Sequence, residues 1–222
     1  MTLKNFRHRA FTVLAAWLPL VLGGCGVDYD DVANIANTRT AIVCFGDSIT
    51  HGYGASPGRD YPARLAELLG TPVINAGVDG DTTASALKRL EEDVLIEEPR
   101  LVIVELGGND FLERTPREEV FENLEQIVRT LASEGSMVVL VHMKFGLFTD
   151  PYGDDYERIA EENGALLVEN AMKDIFANPR HMSDQIHPND AGYALLAERV
   201  AEVVIPLLDQ ANQRVAPSSE RT

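Results

Sequence analysis

From Thr40 onward the chain alternates short apolar runs with longer stretches in which apolar residues recur every three or four positions. The runs fall at 40–45, 72–75, 101–106, 137–142 and 165–168, with the brevity and continuity of strands covered on both faces. Helical spacing fills the intervals. One helix is predicted over 61–69, stopped by Gly70, and one over 83–96, capped by Asp81 or Thr82 and followed by Pro99. A third covers 116–133, with Thr115 as N-cap and Pro116 at the first helical position, and a fourth covers 156–163. The last runs over 191–208, with Pro188 and Asn189 at its start. Strands alternating with helices predict an α/β fold: three α/β/α layers, a five-stranded parallel sheet in the flavodoxin-like order 2-1-3-4-5, and one domain over 40–210. Ligands of such sheets sit outside the carboxyl ends of the strands. The loops after 45, 75, 106 and 142, and the segment before the last helix, are therefore where chemistry is expected.

The first 24 residues follow a different pattern. Lys4, Arg7, His8 and Arg9 precede a charge-free apolar stretch over 10–27, the layout of a secretory signal. Its end, Leu22-Gly23-Gly24-Cys25, resembles the bacterial lipobox, in which the cysteine is acylated and becomes the new N-terminus. The alternative is an uncleaved anchor helix, which Pro19 and three nearby glycines weaken. Gly26 is not the Asp that resembles an inner-membrane retention signal. The expectation is a lipoprotein of the outer membrane, facing the periplasm and attached through Cys25. Residues 25–39 read as a polar tether and 211–222 as a polar tail.

Composition narrows the function classes. Nineteen Lys and Arg against 35 Asp and Glu give a net charge of −16. With no offsetting basic block, a nucleic-acid partner is disfavoured. Two cysteines make no disulfide scaffold, and no Cys/His group has zinc-site spacing.

The candidate chemistry lies in four places. Gly46-Asp47-Ser48 follows the first strand, where a serine has its hydroxyl exposed and its N–H aimed outward, as a nucleophile requires. Alone, such a serine is more often a helix N-cap. Gly80, after the second strand, offers an N–H to a developing negative charge or simply makes a turn. Asn109, in Gly107-Gly108-Asn109-Asp110, can donate its amide into the same crevice or belong to a turn. Asp184 precedes His187 by three residues, so it can accept from Nδ1–H and leave Nε2 free to take a hydroxyl proton. Each signal is weak alone, but three follow consecutive strands and the fourth precedes the last helix.

Together these blocks closely resemble the SGNH (GDSL) hydrolases, over about 40–208. Val-Glu-Leu-Gly-Gly-Asn-Asp at 104–110, Gly-Asp-Thr at 80–82 and Ile-His-Pro-Asn at 186–189 look like the branch of periplasmic thioesterases, lysophospholipases and arylesterases. The resemblance implies a serine acyl hydrolase of carboxylic esters or thioesters. Ser48 is then the nucleophile, His187 the base and Asp184 its orienting partner. Ser48 N–H, Gly80 N–H and the Asn109 side chain form the oxyanion hole, with Asn75 and Asp81 as outer supports. No metal or organic cofactor is implied. The loop at 144–156, carrying Phe145, Leu147, Phe148 and Tyr152, is expected to line an acyl groove. Carbohydrate or peptidoglycan O-acetyl esterase is an alternative with the same machinery. A flavodoxin-like binding module is a remote one, and it leaves the Asp184/His187 spacing without a reason.

Overall fold

The computed structural model describes residues 29–144, 150–176 and 178–216. Five parallel strands form one sheet: β1 (Ile42–Gly46), β2 (Ile74–Gly77), β3 (Leu101–Glu105), β4 (Met137–Val141) and β5 (Leu166–Val168). Their order is β2-β1-β3-β4-β5, as the alternation predicts. Every residue of β1, β3 and β4 is buried. Successive side chains point to opposite faces, so Ile42 and Cys44 enter one apolar cluster and Val43 and Phe45 the other. Helices α2 (Tyr61–Leu69) and α7 (Asp190–Val215) cover the first face. Helices α3 (Thr83–Asp93), α5 (Arg117–Ser133) and α6 (Gly153–Glu162) cover the second. Parallel strands all end at one edge of the sheet, and that edge collects the candidate loops.

Two short helices were not legible as periodicity. They are α1 (Ser48–His51), directly after β1, and α4 (Gly108–Glu113), after β3. Four to six residues are too few to show a helical repeat. Helix α5 begins at Arg117, with Pro116 as its N-cap and not its first residue. Thr115 is not the cap: Pro116 holds that position, and no side chain accepts from the first turn.

Both chain ends correct the sequence reading. From Tyr29 the expected tether is packed: Val32 and Ile35 are buried in the core. Asn34 Nδ2 donates to the carbonyls of Ala132 and Ser136, at 2.7 and 3.0 Å. Asn37 Nδ2 donates to those of Arg100 and Gly135, at 3.0 and 3.1 Å. The two apolar side chains fill the core while the two amides, three residues apart, bond carbonyls just ahead of β3 and β4. At the other end α7 continues to Val215, and Ala211 is fully buried. The apolar positions Val204, Leu207 and Ala211 carry the helical stripe past the expected end at 208 into the supposed polar tail. Residues 1–28, with Cys25, and 217–222 lie outside the described residues.

Candidate active site

The end of β1 makes the sharpest turn in the site. A Cβ on Gly46 would meet Thr50 Oγ1 at 2.2 Å and the Glu105 carbonyl at 2.3 Å, so only glycine lets β1 pass into α1 here. Asp47 caps α1, its Oδ1 accepting the Ile49 N–H at 2.9 Å. Ser48 is therefore the first residue of the helix and not the cap. Its Oγ lies 3.0 Å from His187 Nε2.

His187 comes from the loop before α7. Its Nδ1 lies 2.8 Å from Asp184 Oδ2, so with Nδ1–H donated, Nε2 accepts from the serine hydroxyl. Asp184 Oδ1 also accepts the Ile186 and His187 N–H groups, at 2.8 and 2.7 Å. Those two N–H groups and the imidazole hold the carboxyl down at about 2, so it is ionised whenever the base is needed. The loop is closed beneath them. Ser183 N–H donates to the His187 carbonyl and Asn189 N–H to that of His181, each at 2.9 Å. The Tyr53 ring lies 4.4 Å from the imidazole, centroid to centroid.

Asn109 projects from α4 toward β1. Its Nδ2 donates to Asp47 Oδ2 at 3.1 Å and to the Asp81 carbonyl at 2.9 Å. The Gly80 turn is thus joined to Asn109 through the next residue. Gly80 has φ +76°, which requires a residue free of a Cβ penalty. Asp81 acts as a support: Arg89 pairs with its carboxylate at 2.6 Å and also donates to the Ala76 and Gly46 carbonyls, at 3.0 and 3.1 Å. One guanidinium therefore ties together the ends of β1 and β2 and the turn after β2. Asp110 does the same for the β3 side, accepting the N–H and hydroxyl of Thr83 at 2.9 and 2.8 Å. Asn75 lies farther out, between β2 and the end of α1. Its Oδ1 accepts the Gly77 N–H at 2.9 Å, and its Nδ2 approaches the His51 carbonyl and Asp60 at 3.4 Å. It braces the end of β2 and contacts no residue of the Ser48–His187–Asp184 chain.

Three participants were not singled out from the sequence: Glu105, Arg89 and Tyr53. Glu105 is paired across the sheet with Gly46 and is buried. It accepts the Thr50 hydroxyl at 2.9 Å and shares a hydrogen bond with the Asp47 carboxyl. Burial, then the charge of Asp47, raises Glu105 well above the ordinary carboxylate range. Burial pushes Asp47 up to about 6, against the lowering pull of the Ile49 N–H. Two carboxyls beneath the serine thus favour sharing a proton over carrying two charges. The lone visible signal was Glu105 itself, a charge closing the most apolar strand.

Beside Ser48 opens a cleft of about 340 Å³ whose apolar lining comes from Ile49, Phe111, Leu112, Met143, Phe176 and Ile186. Tyr152, expected in the groove, is buried edge-on against Phe111 and Phe121 instead. Phe145, Leu147 and Phe148 lie outside the described residues.

Comparison with known proteins meets this geometry. The GDSL-like lipase/acylhydrolase family model matches residues 44–195. The Escherichia coli thioesterase 1/protease 1/lysophospholipase L1 is 28% identical over 182 residues, covering 78% of this chain and 88% of its own. A Vibrio mimicus arylesterase is 28% identical over 175 residues, covering 74% and 88%. The crystal structure of TesA superposes with a TM-score of 0.72 at 29% identity, covering 76% of this chain and all of that one. A family model spanning the nucleophile turn through the start of α7, on a sheet of this order, leaves one assignment: the chain belongs to the GDSL-like lipase/acylhydrolase (SGNH hydrolase) family and is an ester-bond hydrolase.

Proposed function

We propose that Ser48 is the nucleophile of an acyl hydrolase that takes the acyl group of a carboxylic ester or thioester through a covalent Ser48 ester. The observation that carries this is the unbroken run from Ser48 Oγ to His187 Nε2 at 3.0 Å and from Nδ1 to Asp184 at 2.8 Å. His187 takes the hydroxyl proton as Oγ attacks the carbonyl carbon, and returns it to the leaving oxygen or sulfur. Water, deprotonated by the same Nε2, then cleaves the acyl-enzyme.

The oxyanion is held by the N–H groups of Ser48 and Gly80 and by Asn109 Nδ2. Both amide hydrogens of Asn109 already have acceptors, so the developing oxyanion takes the place of Asp47 Oδ2 at one of them. A donor that exchanges one anionic acceptor for another favours the transition state only as charge appears on the carbonyl oxygen. The apolar cleft receives the acyl chain. The signal-like N-terminus supports a lipoprotein of the bacterial envelope, acylated at Cys25 and facing the periplasm. A fluorophosphonate should label the wild type and spare Ser48→Ala. Equal labelling of both would refute the covalent step, and intact mass of the purified protein reads the acyl group on Cys25.

A further inference from the structure

The first described residues and the active site lie at opposite ends of the domain. Residues 29–37 pack at the edge where the strands begin. Their amides bond carbonyls just ahead of β3 and β4, and Ala33 N–H donates to Gly164, ahead of β5. The nucleophile turn and α4 lie at the edge where the strands end. Helix α7 measures the separation. It starts three residues after His187 and ends where Arg214 pairs with Asp30. Its 26 residues span about 39 Å at the rise of an α-helix.

Against that length stands a short leash. The four residues from Cys25 to Asp28 reach at most about 14 Å even fully extended. Either anchor the sequence offers, an acylated Cys25 or the apolar stretch ending at Val27, sets the bilayer within that reach of Tyr29. Nor does the leash lengthen easily, because Val32 and Ile35 are buried and both asparagine amides bond backbone carbonyls.

We propose, resting on the anchored reading above, that the enzyme stands on the membrane by its strand-start pole and opens its acyl cleft away from its own bilayer. Its substrates are then acyl esters or thioesters presented from the aqueous side, as dispersed amphiphiles. Lipids of the leaflet that holds it are out of reach. The exposed apolar rim of the cleft (Leu112, Ile186 and Phe111) meets an incoming acyl chain and does not rest on the membrane. Bringing the mouth to the surface would take roughly eleven or twelve extended residues of tether where four exist.

Two measurements on the full-length protein in liposomes test this. In the first, an ester lipid that the detergent-dispersed enzyme cleaves is embedded in the same vesicle, and its turnover is divided by that of a soluble nitrophenyl ester. Inserting twenty flexible residues between Val27 and Asp28 should raise this ratio at least tenfold and leave soluble turnover unchanged. An equal ratio for wild type and insertion, with embedded lipid turned over by both, overturns the proposal. In the second, energy transfer to acceptor lipids is compared for a dye on Glu134→Cys, near the strand starts, and on Glu113→Cys, beside the mouth. Transfer should be strong at 134 and weak at 113, and equal transfer overturns the orientation whatever the substrate. Intact mass separates the two readings: a mature chain beginning after Val27 and free of vesicles overturns the anchoring itself.

Discussion

Two aspartates touch the candidate catalytic side chains, and they live in opposite surroundings. Asp184 has 45% of its side chain exposed, sits on a loop, and is held ionised by two N–H groups and an imidazole. Asp47 is 3% exposed, at the end of a buried strand, and is pushed up to about 6 beside a second buried carboxyl. The difference separates two ways of fixing a side chain. Ser48 and Asn109 are placed by the sheet, whose ends are tied together by Arg89 and Asp110. His187 is placed by a solvent-facing turn that owes its shape to its own hydrogen bonds. Charge that must persist during catalysis is kept where water and N–H groups stabilise it. On the buried side the two carboxyls hold a proton between them, so burial limits the charge beneath Ser48.

Breaking the exposed half should cost the most. His187→Ala removes the base, and kcat should fall about 10⁴–10⁶-fold with little change in KM, since the proton transfer belongs to the transition state. Asp184→Asn keeps the loop's N–H acceptor but offers Nδ1 a group of either hydrogen-bonding sense, so a loss of about 10⁴ is expected from the wrong tautomer. Because Asp184 is held at about 2, its protonation should not contribute to loss of activity between pH 7 and 4. A second proton dependence in the wild-type acid limb that is absent from Asp184→Asn would contradict this. On the buried half, Asn109→Ala removes one oxyanion donor, for a fall of roughly 10²–10³ in kcat. Full activity on an ester from a variant that melts like wild type would make the 107–110 loop merely a turn.

The exposed half was also the more legible one. Asp184 and His187 stand three apart in sequence and touch in space, so their pairing was readable from spacing and gained weight beside the other three blocks. Ser48 and Asn109 were readable because each follows an apolar run, and strand ends in a parallel sheet gather at one edge. Glu105 was not, because its meaning depends on lying across from Gly46 in the adjacent strand, a pairing between residues 59 positions apart in sequence. Arg89 and Tyr53 looked like ordinary surface positions of a helix and a loop. The cleft walls came from α4 and from around 176 and 186, segments too short or irregular to carry a periodic signal. Residues 29–39 hid their packing for the same reason: two aliphatic residues larger than alanine, Val32 and Ile35, make no pattern in eleven.

The carboxyl pair sharpens the comparison through pH. Asp47 titrates higher folded, at about 6, than the ordinary value of 3.8. Between those values the native state binds more protons than the unfolded one, so stability falls as pH rises through the window and is fuller below it. Glu105 is itself raised above its ordinary value, so it adds to this fall; Glu105→Gln removes that titrating carboxyl and keeps a partner for the Thr50 hydroxyl. The fall in Tm between pH 4 and pH 7 should therefore be smaller in the variant than in wild type, by a few degrees. An identical fall in both would show that the two carboxyls do not share their proton.

The smallest effect lies at the opposite pole and should leave the chemistry untouched. Asn34 makes two hydrogen bonds to backbone carbonyls and holds φ at 59°, a left-handed conformation that asparagine tolerates better than alanine. Asn34→Ala loses both the amide and the conformational preference, a cost of about 2–3 kcal/mol, or a Tm lowered by roughly 5–10 °C for a chain of this size. Asn34→Gly keeps the left-handed turn and loses only the bonds, so its cost should be lower by about 1 kcal/mol. The active site is a helix length away, so kcat on a soluble ester at 25 °C should match wild type in both. If either variant loses catalysis in step with stability, the two poles are coupled and the sheet does not insulate the strand-start end from the reacting one.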